Sequence, residues 1–194
     1  MQTTRVPILA LVAGLALASQ GCMSRMIGEG AETALGPKGE YFEVKPVAAN
    51  PKTKALGEYR NFELGEVRNN IGSNLPPDFV SLLKQEFTKV FEDMPHDKAG
   101  KTLAYNIDLL HYEKGNAKDQ VFGPLEEVVA QVDLVDKQSG QVVASGVAVG
   151  RTGKTVGQGV KWKAWGLSRA LYRWTSAYYP NAPEEKERPE QKKS

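Results

Sequence analysis

Seven apolar side chains between Phe79 and Met94 recur at helical spacing: Phe79, Leu82, Leu83, Phe87, Val90, Phe91 and Met94, at offsets 0, 3, 4, 8, 11, 12 and 15. That spacing lines one face of an α-helix and no face of a strand. Pro76-Pro77 come just before it, where proline costs a helix no hydrogen bond, and Pro95 comes just after. The pattern predicts a helix opening at Pro76-Pro77 and closed by Pro95, with one face committed to a core. The rest of the chain must supply the surface that covers this face.

It does so with alternating segments. Phe62 and Leu64 alternate with charged neighbours, predicting a strand over about 55–67 that Asn69-Asn70 and Gly72 break. Leu103, Tyr105, Ile107 and Leu109 predict a second strand, and Val128, Ala130, Val132 and Leu134 a third. A fourth carries Val142, Ala144 and Gly146 on one side, and the turn around Ser139-Gly140 makes a hairpin of the last two. After a glycine-rich stretch from Gly150 to Gly159, residues 160–179 read as a long final helix. The order β-α-β-β-β-α implies a right-handed crossover joining the first two strands in parallel, then an antiparallel meander. The expected class is α+β: an α/β two-layer sandwich, a mixed four-stranded sheet with its helices on one face.

The flanks read differently. Residues 22–53 are rich in Gly, Ala, Pro and charge, as a flexible tether is, although YFEVKPV within them suits a short edge strand ending at Pro46. Residues 181–194 hold mixed charges and almost no apolar side chain, the composition of a disordered tail. A single domain is expected over 54–180.

Residues 1–21 read as a signal peptide. Arg5 is followed by an uncharged apolar run from Ile8 to Ala18, the length of a signal-peptide h-region and too short to span a bilayer. Ser19, Gln20 and Gly21 then lead to Cys22, the only cysteine. Gly21-Cys22 in this setting resembles the lipobox of bacterial lipoproteins, in which the cysteine becomes the acylated first residue. Ser19 and Gln20 depart from that pattern, and cleavage after Ala18 also satisfies the small-x-small rule. Acylation accounts for the unpaired thiol and cleavage at Ala18 does not. The absence of an aspartate after Met23-Ser24 implies, by resemblance to the enterobacterial sorting rule, the outer membrane. Without Arg5 the 25 Lys+Arg fall to 24 against 23 acids, so net charge selects no partner.

LPPDFVSLLKQEF, TLAYNIDLLHYEKGN, VVAQVDLVDKQSGQVVASG and GLSRALYRW together resemble a bacterial envelope family, domain-of-unknown-function family 4410. The likeness covers roughly 55–180. It implies a periplasm-facing α/β lipoprotein domain, distantly similar to small accessory lipoproteins of envelope assemblies, and it carries over no catalytic residue.

One motif invites a different conclusion. AVGRTGKT, Ala148 to Thr155, fits the loose phosphate-loop pattern, with Gly153 in the cradle, Lys154 for the phosphates and Thr155 for magnesium. Its preceding strand is one arm of a hairpin, whereas nucleotide loops leave a parallel strand. Gly157 and Gly159 also delay the helix whose N-terminus should meet the phosphates. The loop reads as a connector.

Other chemistry is sparse. His96 and His111 have no ligand-spaced partners, and HEXXH, GxSxG and a Cys–His pair are absent. Glu126-Glu127 and Asp133/Asp136 read as structural acids, Asp136 as the start of the turn. No catalytic residue, metal or cofactor is expected.

From Lys137 to Pro183 the chain has no acid and seven bases: Lys137, Arg151, Lys154, Lys161, Lys163, Arg169 and Arg173. Along the final helix Val160, Ala164, Leu167, Leu171, Trp174 and Tyr178 form the stripe expected on the sheet. Trp162, Trp165, Arg169 and Tyr172, at offsets 0, 3, 7 and 10, form a second side, joined by Lys161 and Arg173. Such an aromatic-basic face suits contact with a partner or membrane, the competing reading being a helix buried on both sides. The functional expectation is a lipid-anchored, non-enzymatic binding or assembly domain working with other envelope proteins, not nucleic acid. A soluble periplasmic enzyme and an oligomeric ring or pore subunit are the alternatives.

Overall fold

The structure, a computed structural model, describes residues 38–97, 99–113, 127–151 and 159–185. Five strands and two helices run in the order β1 (Lys38–Lys45), β2 (Tyr59–Asn69), α1 (Phe79–Val90), β3 (Lys101–Tyr112), β4 (Glu127–Asp136), β5 (Val142–Arg151) and α2 (Gly159–Tyr178). They build one mixed sheet in the spatial order β1-β5-β4-β3-β2. The class is α+β. The expected four strands are five, because YFEVK belongs to an eight-residue edge strand rather than to a tether. Residues 38–45 lack a clean apolar alternation because β1 turns Tyr41 and Glu43 toward the helices, exposes Phe42, and has a bulge between Glu43 and Lys45 in which Val44 is the extra residue. Polar and apolar residues therefore share both faces.

β2 and β3 pair in parallel through α1, and β3, β4, β5 and β1 then pair antiparallel in succession. The β4–β5 hairpin turns at Asp136, whose Oδ1 accepts from the backbone N–H of Gln138 (3.0 Å) and Ser139 (2.9 Å). Gly140 takes the left-handed φ of 72° that closes it. α1 is shorter than its proline-bounded stripe. The helix ends at Val90, and a turn in which Met94 N–H bonds Phe91 C=O carries both side chains into the core.

Both helices lie on one face. Tyr105 of β3 touches Phe87 of α1 edge-on, with centroids 5.2 Å apart, and its hydroxyl bonds that of Thr175 on α2. Leu103, Ile107, Leu109, Val128, Val132 and Leu134 fill the same face and are fully buried. Over β5 and β1 the sheet narrows to Ala144, Gly146, Ala148, Gly150 and Gly39. α2 comes so close there that a Cβ on Gly150 would stand 2.6 Å from Lys163 C=O.

Candidate functional site

The stripe expected to seat α2 on the sheet does so: Ala164, Leu167, Leu171, Trp174 and Tyr178 are buried. The second side does not form an open surface. Trp165 and Tyr172 are 4% and 3% exposed, and Tyr172 donates its hydroxyl to Pro183 C=O at 2.6 Å. Arg169 Nε pairs with one oxygen of Glu185 and Arg173 Nε with the other, the latter at 2.8 Å. Arg173 also donates to Gly39 C=O at 2.8 Å, which ties the tail to β1. Burial raises the Glu185 carboxyl, but the two guanidiniums outweigh it and hold it below the usual glutamate value.

Of the expected contact face, Arg169, Tyr172 and Arg173 are engaged by Pro183 and Glu185, at the start of the stretch read as a disordered tail. Trp162 is half-buried, and Lys161 stays exposed with its ammonium 3.7 Å from Glu86 on α1. Lys163, one of the seven bases of this acid-free stretch, is 1% exposed. It donates to Glu113 C=O, and its ammonium lies over the Tyr112 ring at 4.2 Å.

Cys22, Glu126 and the loop residues Gly153, Lys154 and Thr155 lie outside the described residues. The flanks of that loop are described. β5 ends at Arg151 with antiparallel neighbours on both sides, and α2 begins at Gly159, four residues past Thr155. His96 and His111 sit apart on a loop and on β3. Among the described residues, no group of three His, Cys, Asp or Glu is placed to hold a metal, and no helix is long and apolar enough to cross a membrane.

The sequence reading missed the surface opposite the helices. Phe42 and Val44 of β1 and Leu110 of β3 are 58%, 77% and 48% exposed. Phe42 is paired with Val147 of β5, beside Val149. The same face turns ionic toward β2, where Arg68 and Asp108 make a two-point pair at 2.5 and 2.9 Å. At the β1 edge Glu40 pairs with Arg151 at 3.1 Å, so charges reach both edges of this face. The edge strand suggested at YFEVKPV is the signal in the sequence for this patch.

No family model matches the sequence, and no curated protein matches it. Among solved structures the chain is similar to the PelC dodecamer from Paraburkholderia phytofirmans. A single-site variant of that protein aligns at 12% identity with a TM-score of 0.46, over 71% of this chain and 96% of the other. A second PelC dodecamer structure aligns at 13% identity and 0.41, over 72% and 96%.

Proposed function

We propose that this chain is a lipid-anchored protein of the bacterial cell envelope, related to domain-of-unknown-function family 4410, whose α+β domain binds or assembles with envelope partners rather than catalysing a reaction. The observation that carries the reading is the uncharged Ile8–Ala18 run ending in SQG and then Cys22, the sole cysteine. Acylation there gives an outer-membrane, periplasm-facing anchor, with residues 23–37 as the tether to β1. Palmitate labelling tests it. Label should follow Cys22 and vanish in Cys22→Ser, and a Cys22→Ser protein that still labels or sediments with membranes refutes the anchor.

Self-assembly is the second reading, favoured by the sheet order. β1 and β2 are the outer strands, each with one row of backbone groups not used within the sheet. Sedimentation of the lipid-free chain separates the two: a single monomeric species speaks against assembly through these edges.

A further inference from the structure

β1 is the first described element of the chain, and it lies at the opposite edge of the sheet from β2, the strand that follows it. Residues 46–58 make that crossing over the end of α2. There Leu56 N–H bonds Tyr178 C=O at 3.1 Å, and Lys54 Nζ donates to Ala177 C=O at 2.9 Å. Without β1, the elements from β2 to α2 still form a continuous sheet covered by two helices. β1 is therefore an arm: one connector joins it to those elements, and its ladder and side-chain bonds go to β5 and α2.

The slot that holds the arm selects its side chains. Gly39 is pressed against the α2 backbone at Gly166 and Ala170, where a Cβ has no room. Tyr41 stacks on Trp174 with centroids 5.7 Å apart, and Glu43 accepts from Trp174 and Tyr178, both at 2.7 Å. The slot thus takes Gly-x-Tyr-x-Glu, a run found once in this sequence, at 39–43. A strand from outside that meets the demand is β1 of a second copy, and seated there it makes the same bonds.

The connector carries strain. Lys54 is held left-handed, at φ 54° and ψ 44°, a conformation that costs a lysine free energy. Asn50, ahead of Pro51, is already extended at φ −136° and ψ 121°. Fully extended, residues 46–54 reach about 30 Å, enough to carry β1 to a neighbouring molecule. Hinge loops under strain favour such an exchange. We propose that β1 is exchanged between two copies of this chain, the arm of each filling the β5–α2 slot of the other about a two-fold axis; the inference deepens the self-assembly reading and rests on it. Exchange remakes every bond of the arm in kind, so the connector decides between the two forms, and only the closed form strains it.

The test uses the full chain with Cys22→Ser, which removes its sole thiol, and with Phe42→Cys and Val147→Cys, which face each other across β1 and β5. The reduced chain should sediment as a dimer. Oxidation should then give a covalent dimer on a denaturing, non-reducing gel, because each bridge joins two chains. A dimer whose oxidised chains run as internally bridged monomers overturns the exchange and leaves assembly through the sheet edges standing. A monomer overturns both. Should oxidation close no bridge, the connector decides. Lys54→Gly and Lys54→Ala both lose the ammonium bond to Ala177, but only glycine takes the left-handed conformation freely. Lys54→Gly should lower the dimer association constant on the order of tenfold relative to Lys54→Ala, and equal constants overturn the exchange.

Discussion

The indole Nε1 of Trp174 donates to Oε1 of Glu43 at 2.7 Å, joining the C-terminal turns of the last helix to the edge strand. Tyr178, one turn further along α2, donates to the other carboxylate oxygen at 2.7 Å. Glu43 thus gathers two donors from a helix more than 130 positions away and fixes which face of β1 looks inward.

Glu43→Ala should lower stability by about 1 kcal/mol, because Glu43 is itself solvent-exposed and water takes over part of its role. Trp174→Ala should cost about 3–5 kcal/mol, since the ring is fully buried. Denaturant midpoints measure both. Equal losses would mean that the hydrogen bonds, not the ring, hold β1 in place.

Gly150→Ala should destabilise by about 1–3 kcal/mol or more, as its Cβ would meet Lys163 C=O at 2.6 Å and force α2 away from β5. Gly159→Ala, with open space around its Cβ, should be neutral or stabilise by up to about 1 kcal/mol through helix propensity. The pair compared by thermal unfolding separates crowding at the sheet from the general effect of adding a methyl group.

The Glu185 clasp should be sensitive to acid. Its folded carboxyl lies below the ordinary value of 4.5, so the stability it contributes is full above the unfolded value and is lost as pH falls through the folded one. Carbon-13 titration of the Glu185 carboxyl should place its midpoint below that of free glutamate. Arg173→Gln should move the midpoint up. An ordinary midpoint in the unsubstituted protein would mean that the tail does not hold its place in solution.

Alkali should act through the tyrosines. Burial first, then the Glu43 carboxylate, push Tyr178 up to about 12, and burial pushes Tyr105 and Tyr59 higher still. Raised values stabilise the fold fully below the ordinary tyrosine value of 10, and that contribution is lost as pH climbs through the folded ones. Phenolate absorbance should therefore lag a free-tyrosine curve and rise together with the loss of structure. Glu43→Gln should bring Tyr178 down toward the ordinary value.

Much of the fold was legible because its signals are local. The Phe79–Met94 stripe needs only the helical repeat, and the alternation in Leu103–Leu109 and Val128–Leu134 only the pleat. Asp136 followed by Ser139-Gly140 marks a hairpin because the side chain bonds its own turn. The shortfall lay where an element's role depends on a distant partner. YFEVKPV suits a short edge strand by itself, but that this strand joins the sheet depends on the edge β5 offers and on Trp174 and Tyr178 of α2.

The C-terminal helix shows the same limit in reverse. Its aromatic-basic side is plain in the sequence, and so is the absence of acids until after Pro183. Whether Trp165, Arg169, Tyr172 and Arg173 face a partner or their own chain depends on where the next acid lies in space. Glu185 folds back to pair with both arginines, which turns them toward their own chain.

The sequence alone determined the repeat of each long element, the hairpin, the α+β class and the ground for proposing an anchor, since these follow from spacing along the chain. Only the tertiary structure decided that five strands share the sheet, that Arg169 and Arg173 of α2 are held by Glu185, and that Phe42 and Val44 are exposed. Each of those depends on which distant surfaces meet, and no local period encodes that.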